Sequence, residues 1–310
     1  MSESRKVSIV VPVYWNEQSL APLFSELQRV ETELARRDCT LELIFVDDGS
    51  GDRSIDELLK IKQQREATKI IKLTRNFGAI HASKTGFHFV TGECFMILAA
   101  DLQDPPELIL QMVERWQAGC KFVMCARIAR HDPLGAKMLS ALYYWLLRLF
   151  VVKDYPKGGF DLALMDRALL PYLQGSSKNI NTPLFAYWLG FKPEIIHYRR
   201  RERQHGKSMW SLAKRLKFFL DSILGFSIVP IRAISLVGLV VSLLSFAYGL
   251  LIFVNTVLGH RAVPGFATIV ALMSFLLGLI IIMLGVIGEY LWRIFDEVNK
   301  RPESVIDEIY

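Results

Sequence analysis

Cysteine is scarce here: 310 residues hold four, Cys39, Cys94, Cys120 and Cys125. None forms a C-x-x-C pair and no histidine sits at zinc spacing, so we read them as reduced, mostly buried thiols. Two phosphate-binding signatures are missing as well. Without G-x-G-x-x-G or G-x-x-x-x-G-K-[ST], neither a Rossmann dinucleotide site nor a P-loop has support. The polar N-terminus, Met1 to Lys6, lacks the apolar core of a signal peptide. Charge is also missing, from two long stretches: there is none between Ala233 and Leu258, and between Phe266 and Trp292 only Glu289. Each exceeds the roughly 20 apolar residues that cross a bilayer core.

Those two stretches predict a transmembrane hairpin, joined by a loop with Gly259, Pro264 and Gly265. Arg199, Arg200, Arg201, Arg203, Lys207, Lys214, Arg215, Lys217 and Arg232 precede it, Arg293, Lys300 and Arg301 follow it, and the loop offers only Arg261. The bias of positive charge toward the cytoplasm places both termini there. The net charge of +6 thus suits a membrane surface, where anionic headgroups reward each nearby cation by about 1 kcal/mol, and no nucleic acid is expected.

The first third alternates short apolar runs with helical spacing. Val7 to Val13, Leu41 to Val46, Lys69 to Leu73, Cys94 to Ala99 and Phe122 to Cys125 read as strands. Helices are expected from Glu17 to Arg36, from Asp52 as cap to about Glu66, from Ile80 to Phe89 and from Leu108 to Trp116. This order predicts an α/β domain with a mostly parallel, doubly wound sheet, whose ligands bind beyond the carboxyl ends of the strands. Four successive ends carry polar clusters: Tyr14-Trp15-Asn16-Glu17, Asp47-Asp48-Gly49-Ser50, Thr74-Arg75-Asn76 and Asp101-Leu102-Gln103-Asp104.

The last cluster closes the run L-A-A-D-L-Q-D-P-P-E from Leu98 to Glu107, where two prolines stop the strand. Crowded oxygen ligands there suit Mg²⁺ or Mn²⁺ shared with a substrate phosphate. Asp104 can equally cap the following helix, with Pro105 or Pro106 in its first turn. Leu134 to Val152, rich in Tyr and Trp but interrupted by Lys137 and Arg148, fits a helix on the bilayer surface, a soluble core helix or, with two charges in lipid, a third span. Ser211 to Leu224 fits a basic interfacial helix leading into the first span.

Taken in order, Val11-Pro12-Val13-Tyr14-Trp15-Asn16-Glu17, Val46-Asp47-Asp48-Gly49-Ser50, Arg75-Asn76-Phe77-Gly78, Asp101-Leu102-Gln103-Asp104-Pro105-Pro106-Glu107 and Asp161-Leu162-Ala163-Leu164-Met165-Asp166-Arg167 resemble the signatures of glycosyltransferase family 2, in its polyprenyl-phosphate branch. The resemblance covers essentially the whole chain. It implies a GT-A domain over residues 1–210, a juxtamembrane amphipathic helix over 211–231, two transmembrane helices over 232–292 and a cytoplasmic tail over 293–310. It further implies inverting transfer from a nucleotide-diphospho-sugar, UDP-linked, to a polyprenyl phosphate at the cytoplasmic leaflet of a bacterial inner membrane, for cell-envelope glycans such as lipopolysaccharide. A homotetramer is implied too.

By motif, Pro12, Tyr14, Glu17, Asp47, Asp48, Arg75 and Asp101 would line the nucleotide site, and Asp101 and Gln103 would hold Mg²⁺ or Mn²⁺. Asp161 would be the catalytic carboxylate, with Arg127, Arg130, Arg203 and Lys207 on the phosphates. The chain departs from the pattern twice. Ala99-Ala100-Asp101 stands where the family often has D-A-D, and Gly206-Lys207-Ser208-Met209 where it often has G-x-S-K. The lost carboxylate opens a competing expectation, a membrane-anchored nucleotide-sugar scaffold with a decayed site. No Q-x-x-R-W motif is present, which argues against a processive polysaccharide synthase.

Overall fold

The structure is a computed structural model that describes residues 4–128, 134–156, 159–178, 180–201, 219–258 and 265–310. The chain divides into two units, Met1–Gly225 with Pro302–Tyr310, and Phe226–Arg301.

The first unit is built on one eight-stranded sheet. Its strands are β1 (Arg5–Val13), β2 (Cys39–Asp47), β3 (Lys69–Leu73), β4 (Cys94–Ile97), β5 (Phe122–Arg127), β6 (Leu162–Asp166), β7 (Glu194–Tyr198) and β8 (Ile306–Ile309), in the spatial order β7-β5-β6-β4-β1-β2-β3-β8. Pairings of β1 with β2 and β4, β2 with β3, and β5 with β7 are parallel. Antiparallel β6 lies between β4 and β5, and antiparallel β8 closes the edge beside β3. The α/β, mostly parallel expectation is met. Strand order reverses about β1, and that switch point opens the crevice where ligands of such sheets bind.

Helices cover both faces. Helices α1 (Glu17–Ala35), α2 (Ser54–Gln64) and α4 (Leu108–Gln117) lie on one, and α3 (Ala79–Phe87), α6 (Leu170–Gln174) and α7 (Thr182–Trp188) on the other. Strand β1 shows why its run is continuously apolar: Val7, Ile9, Val11 and Val13 join one core and Val10 the other. On α1, Leu20, Leu23, Leu27, Val30 and Leu34 recur at helical spacing and are all buried, each contributing about 1.5–3 kcal/mol.

Helix α5 (Leu134–Phe150) is two-faced. Leu147 is fully buried, Tyr143 donates to Ser222 Oγ at 3.0 Å and Tyr144 stacks on Tyr155. Met138, Leu142, Trp145 and Leu149, spaced by three or four residues, are exposed. Of the expected interfacial helix at Ser211 to Leu224, residues 219–224 are helical and the rest lies outside the described residues.

The second unit holds α8 (Val229–Val257) and α9 (Phe266–Val298). Each contains a 24-residue span of mean hydropathy 2.2, long and apolar enough to cross a membrane. Helix α9 continues past Trp292 through Arg293 and Asp296. The chain then rejoins the first unit, where β8 pairs with β3 and Tyr310 exchanges backbone hydrogen bonds with Ile70 at 2.8 and 3.1 Å.

Candidate active site

The polar clusters meet along one sheet edge because β1, β2 and β4 are parallel neighbours, so their carboxyl ends lie side by side. The turns after β1 and β2 are interlocked. Asp52 Oδ2 accepts from Glu17 N at 3.3 Å, Glu17 Oε2 accepts from Arg53 N at 3.0 Å, and Asp52 Oδ1 accepts from Ser54 N at 3.1 Å. Trp15, at φ +58°, donates its N–H to Ser50 Oγ at 3.2 Å and leaves its ring more than half exposed. Pro12 and Tyr14 are half-buried at the same edge.

Asp47 and Asp48 are both buried and differ in their bonds. Asp48 accepts from the amides of Phe77 at 2.7 Å and Gly78 at 2.8 Å, tying the Arg75-Asn76-Phe77-Gly78 turn to the end of β2. Gly49 is required beside it: at φ +67°, a Cβ there would lie 2.5 Å from the Arg75 backbone. Asp47 Oδ2 accepts from Ser50 N at 3.2 Å, whereas its Oδ1 is buried with no partner among the described residues. Burial pushes both carboxyls above the ordinary aspartate value. Arg75 is exposed, with its guanidinium 4.0 Å over the Phe77 ring.

After β4 the chain makes a strained turn. Leu102 is buried at φ +58°, a region that costs a leucine about 1–3 kcal/mol and persists where the surroundings dictate it. Gln103 N donates to Asp101 Oδ1 at 3.2 Å across that turn. The expected cap is corrected: helix α4 starts at Leu108, and buried Asp104 turns to the strand across the site instead. Its Oδ1 accepts from Tyr198 Oη at 2.5 Å and lies 2.9 Å from Arg200 Nε, while Oδ2 accepts from Arg200 Nη2 at 3.3 Å. Burial still pushes the Asp104 carboxyl up, against the opposing pull of Arg200.

Asp161 precedes β6 and holds Arg127, the last residue of β5, in a bidentate pair at 2.6 and 2.6 Å. Tyr198 Oη is also 3.1 Å from Asp161 Oδ2. Behind it, Gly159 at φ +69° lies so close to Tyr144 that a Cβ would meet its hydroxyl at 2.4 Å. The structure therefore brings Asp101, Gln103, Asp104, Asp161 and Arg127 to one place. Arg130, Arg203 and Lys207 lie outside the described residues.

Sequence reasoning missed Tyr198, Arg200 and Arg201. The arginines read as part of the basic run before the first span, yet Arg201 is bidentate to Glu26 at 3.0 and 3.1 Å and to Glu107 at 3.0 Å, and its N–H donates to Gln103 O at 2.9 Å. No strand is expected there from the sequence, so nothing local marked their place at the end of β7, facing a carboxylate cluster of opposite charge.

Among the described residues no three His, Cys, Asp or Glu side chains could hold a metal ion together. Asp101 and Gln103 supply hard oxygen donors on either side of the Leu102 turn, a set that fits Mg²⁺ or Mn²⁺ when a diphosphate and water complete the shell.

Residues 8–171 match the family model described as Glycosyl transferase family 2. The chain is 35% identical over 309 residues to an uncharacterized glycosyltransferase of Synechocystis, covering 98% of this chain and 96% of that protein. It is 31% identical over 308 residues to a prophage bactoprenol glucosyl transferase homolog of Escherichia coli K12, covering 98% and 99%. Among solved structures, a mannosyltransferase from Pyrobaculum calidifontis in complex with GDP-Man and Mn²⁺ aligns with a TM-score of 0.47 at 19% identity, covering 65% of this chain and 58% of the other.

Proposed function

The chain belongs to glycosyl transferase family 2 and is a glycosyltransferase, and on that footing we propose that it moves a sugar, with inversion, from a UDP-linked donor to a polyprenyl phosphate at the cytoplasmic leaflet. The observation that carries this reading is the meeting of the Asp101 to Asp104 turn with Asp161 and Arg127 at one edge of the sheet, in a chain that also contains two bilayer-length apolar helices. Several relatives bear bactoprenol glucosyl transferase as their name, which points to a polyprenol-based acceptor.

The nucleotide lies over the ends of β1 and β2, against Pro12, Tyr14, Glu17, Asp47 and Arg75. Asp48 serves that pocket indirectly, by bonding the Phe77 and Gly78 amides. Asp101 and Gln103 would hold Mg²⁺ or Mn²⁺ against the diphosphate, and the ion supplies neutralisation of charge on the leaving group. A phosphate monoester has a second pKa of about 6 and is already mostly anionic at pH 7, so the acceptor oxygen needs little help from a base. Asp161, clamped at both oxygens by Arg127, instead orients the acceptor and sugar. The Asp161 pair engages Nε and Nη2 of Arg127 and leaves donors on Nη1 for a phosphate. Arg130, Arg203 and Lys207 complete that phosphate-binding set.

The exposed row Met138, Leu142, Trp145 and Leu149 on α5 suits contact with the bilayer surface, where an acceptor keeps its tail in lipid and its headgroup in reach. Both termini and the sheet-bearing unit lie in the cytoplasm in this reading, and the spans associate as a homo-oligomer through small residues such as Gly278, Gly285 and Gly288.

Membranes containing the protein are incubated with labelled nucleotide sugars and undecaprenyl phosphate, and lipid is extracted. A metal-stimulated lipid-linked sugar is expected from a UDP sugar. If no donor yields one, the reading fails.

A further inference from the structure

Tyr198 closes β7 with its ring buried and its hydroxyl between two carboxylates that serve different halves of the site. Oη is 2.5 Å from Asp104 Oδ1 and 3.1 Å from Asp161 Oδ2. A phenol has one hydrogen, so it donates to one carboxylate at a time, and the shorter distance assigns it to Asp104. Each carboxylate has its own arginine, Arg200 on Asp104 and Arg127 on Asp161. The result is a line of alternating groups: Arg127, Asp161, the Tyr198 hydroxyl, Asp104, Arg200.

The two ends of that line have different origins in the chain. Asp104 ends the turn that presents Asp101 and Gln103, while Asp161 is anchored to β5 through its N–H on Cys125 O at 3.0 Å. Without a hydroxyl between them, the facing carboxylates would repel, and buried Asp104 would lose an uncharged donor that no water replaces at 4% exposure. The following residues hold the same turn, Arg200 through its ion pair and Arg201 through its N–H on Gln103 O.

We propose that Tyr198 is a positioning residue for sugar transfer: its hydroxyl keeps the Asp101 to Asp104 turn in register with Asp161, and so holds the diphosphate and acceptor halves of the site at one separation. This rests on the assignment of those halves given above. A misplacement of about 1 Å between reacting groups can cost about 100-fold in rate, which makes a single buried hydroxyl consequential.

The test uses the full-length protein in membranes with UDP-glucose, undecaprenyl phosphate and Mn²⁺. Tyr198→Phe keeps the ring and removes the oxygen. Its kcat is expected to fall about 10- to 100-fold while the KM for UDP-glucose stays within about threefold. Added to Asp104→Asn, which already weakens the same bond, it is expected to cost less than about threefold more. A kcat within about threefold of wild type, or losses that multiply as for independent sites, overturns the proposal. Amide hydrogen exchange gives a readout that needs no turnover. Tyr198→Phe is expected to speed exchange about tenfold at residues 102–104 and 161–163 together, with α1 and β1 still protected. Unchanged exchange at both places, or a rise across the whole chain, also overturns it. Absence of transfer by the wild type would instead overturn the functional reading, and the exchange result would still decide the role of Tyr198.

Discussion

Removing the carboxylate of Glu303 should destabilise the first unit more than removing the cation it pairs with. Lys84 lies on α3 with its side chain 3% exposed, and its ammonium donates to Glu303 Oε1 at 2.6 Å, Ser176 O at 2.9 Å and Ser177 O at 3.2 Å. Glu303 is 27% exposed and lies in the segment leading to β8. Breaking a buried pair costs about 3–5 kcal/mol because the orphaned charge stays buried. Here two carbonyls still hold the ammonium, so Glu303→Ala should cost about 2–3 kcal/mol. The reverse change, Lys84→Met, leaves a carboxylate that can turn to water, and we expect about 1–2 kcal/mol. At about 2–4 °C per kcal/mol for a domain of this size, thermal unfolding of the full chain should shift down by about 4–12 °C for Glu303→Ala and less for Lys84→Met. A shift below about 2 °C for Glu303→Ala, or a larger one for Lys84→Met, would refute the reasoning. The pH dependence has a definite sign. Burial alone would raise the Glu303 carboxyl, but His81 and Lys84 beside it hold it below the ordinary glutamate value of 4.5. The contribution is therefore complete above that value and is lost as pH falls through the lower folded one.

Three other perturbations address the site. Asp48→Ala strands the Phe77 and Gly78 amides, which should cost about 2–4 kcal/mol and raise the Kd for UDP with Mn²⁺ about tenfold by calorimetry; an unchanged Kd would detach that turn from the nucleotide. Asp161→Asn should lower kcat about 100-fold at every pH from about 6 to 9, and a limb lost from the pH profile would show that Asp161 acts as a base. Ala99→Asp puts a carboxylate beside the Asp101 to Gln103 turn proposed to hold the ion and should reduce the Mn²⁺ needed for half-maximal activity about three- to tenfold. An unaltered requirement would place that side chain away from the ion.

Much of the architecture was legible because local pattern and global fold agree. Strands β1, β2 and β3 are apolar runs buried on both faces, and α1 and α4 carry apolar residues at helical spacing, so period alone located them within a residue or two. The spans were legible from length and lack of charge. Strands β6, β7 and β8 were not, since runs of four or five residues with mixed exposure give period too little to work on. The β8 segment Ile306-Asp307-Glu308-Ile309 is wholly exposed, and only its partner β3 makes it a strand. Asp104 was misread as a helix cap for a related reason: the cap signature is local, whereas the competing partners Tyr198 and Arg200 are far along the chain.

The sequence by itself determined which chemistry this protein carries. Asp47, Asp48, Asp101 and Gln103 follow runs whose apolar character dictates where the backbone must leave the core, whereas Asp161 was marked by its place in an ordered set of motifs. The tertiary structure alone decided which of those groups meet. Parallel pairing set the strand ends side by side, antiparallel β6 brought Asp161 to them, and the end of β7 inserted a hydroxyl and two arginines that had read as membrane-facing charge. Distance along the chain carries no information about such contacts, because hydrogen bonds and ion pairs depend on separation in space, which the sheet order fixes only once every strand is in place.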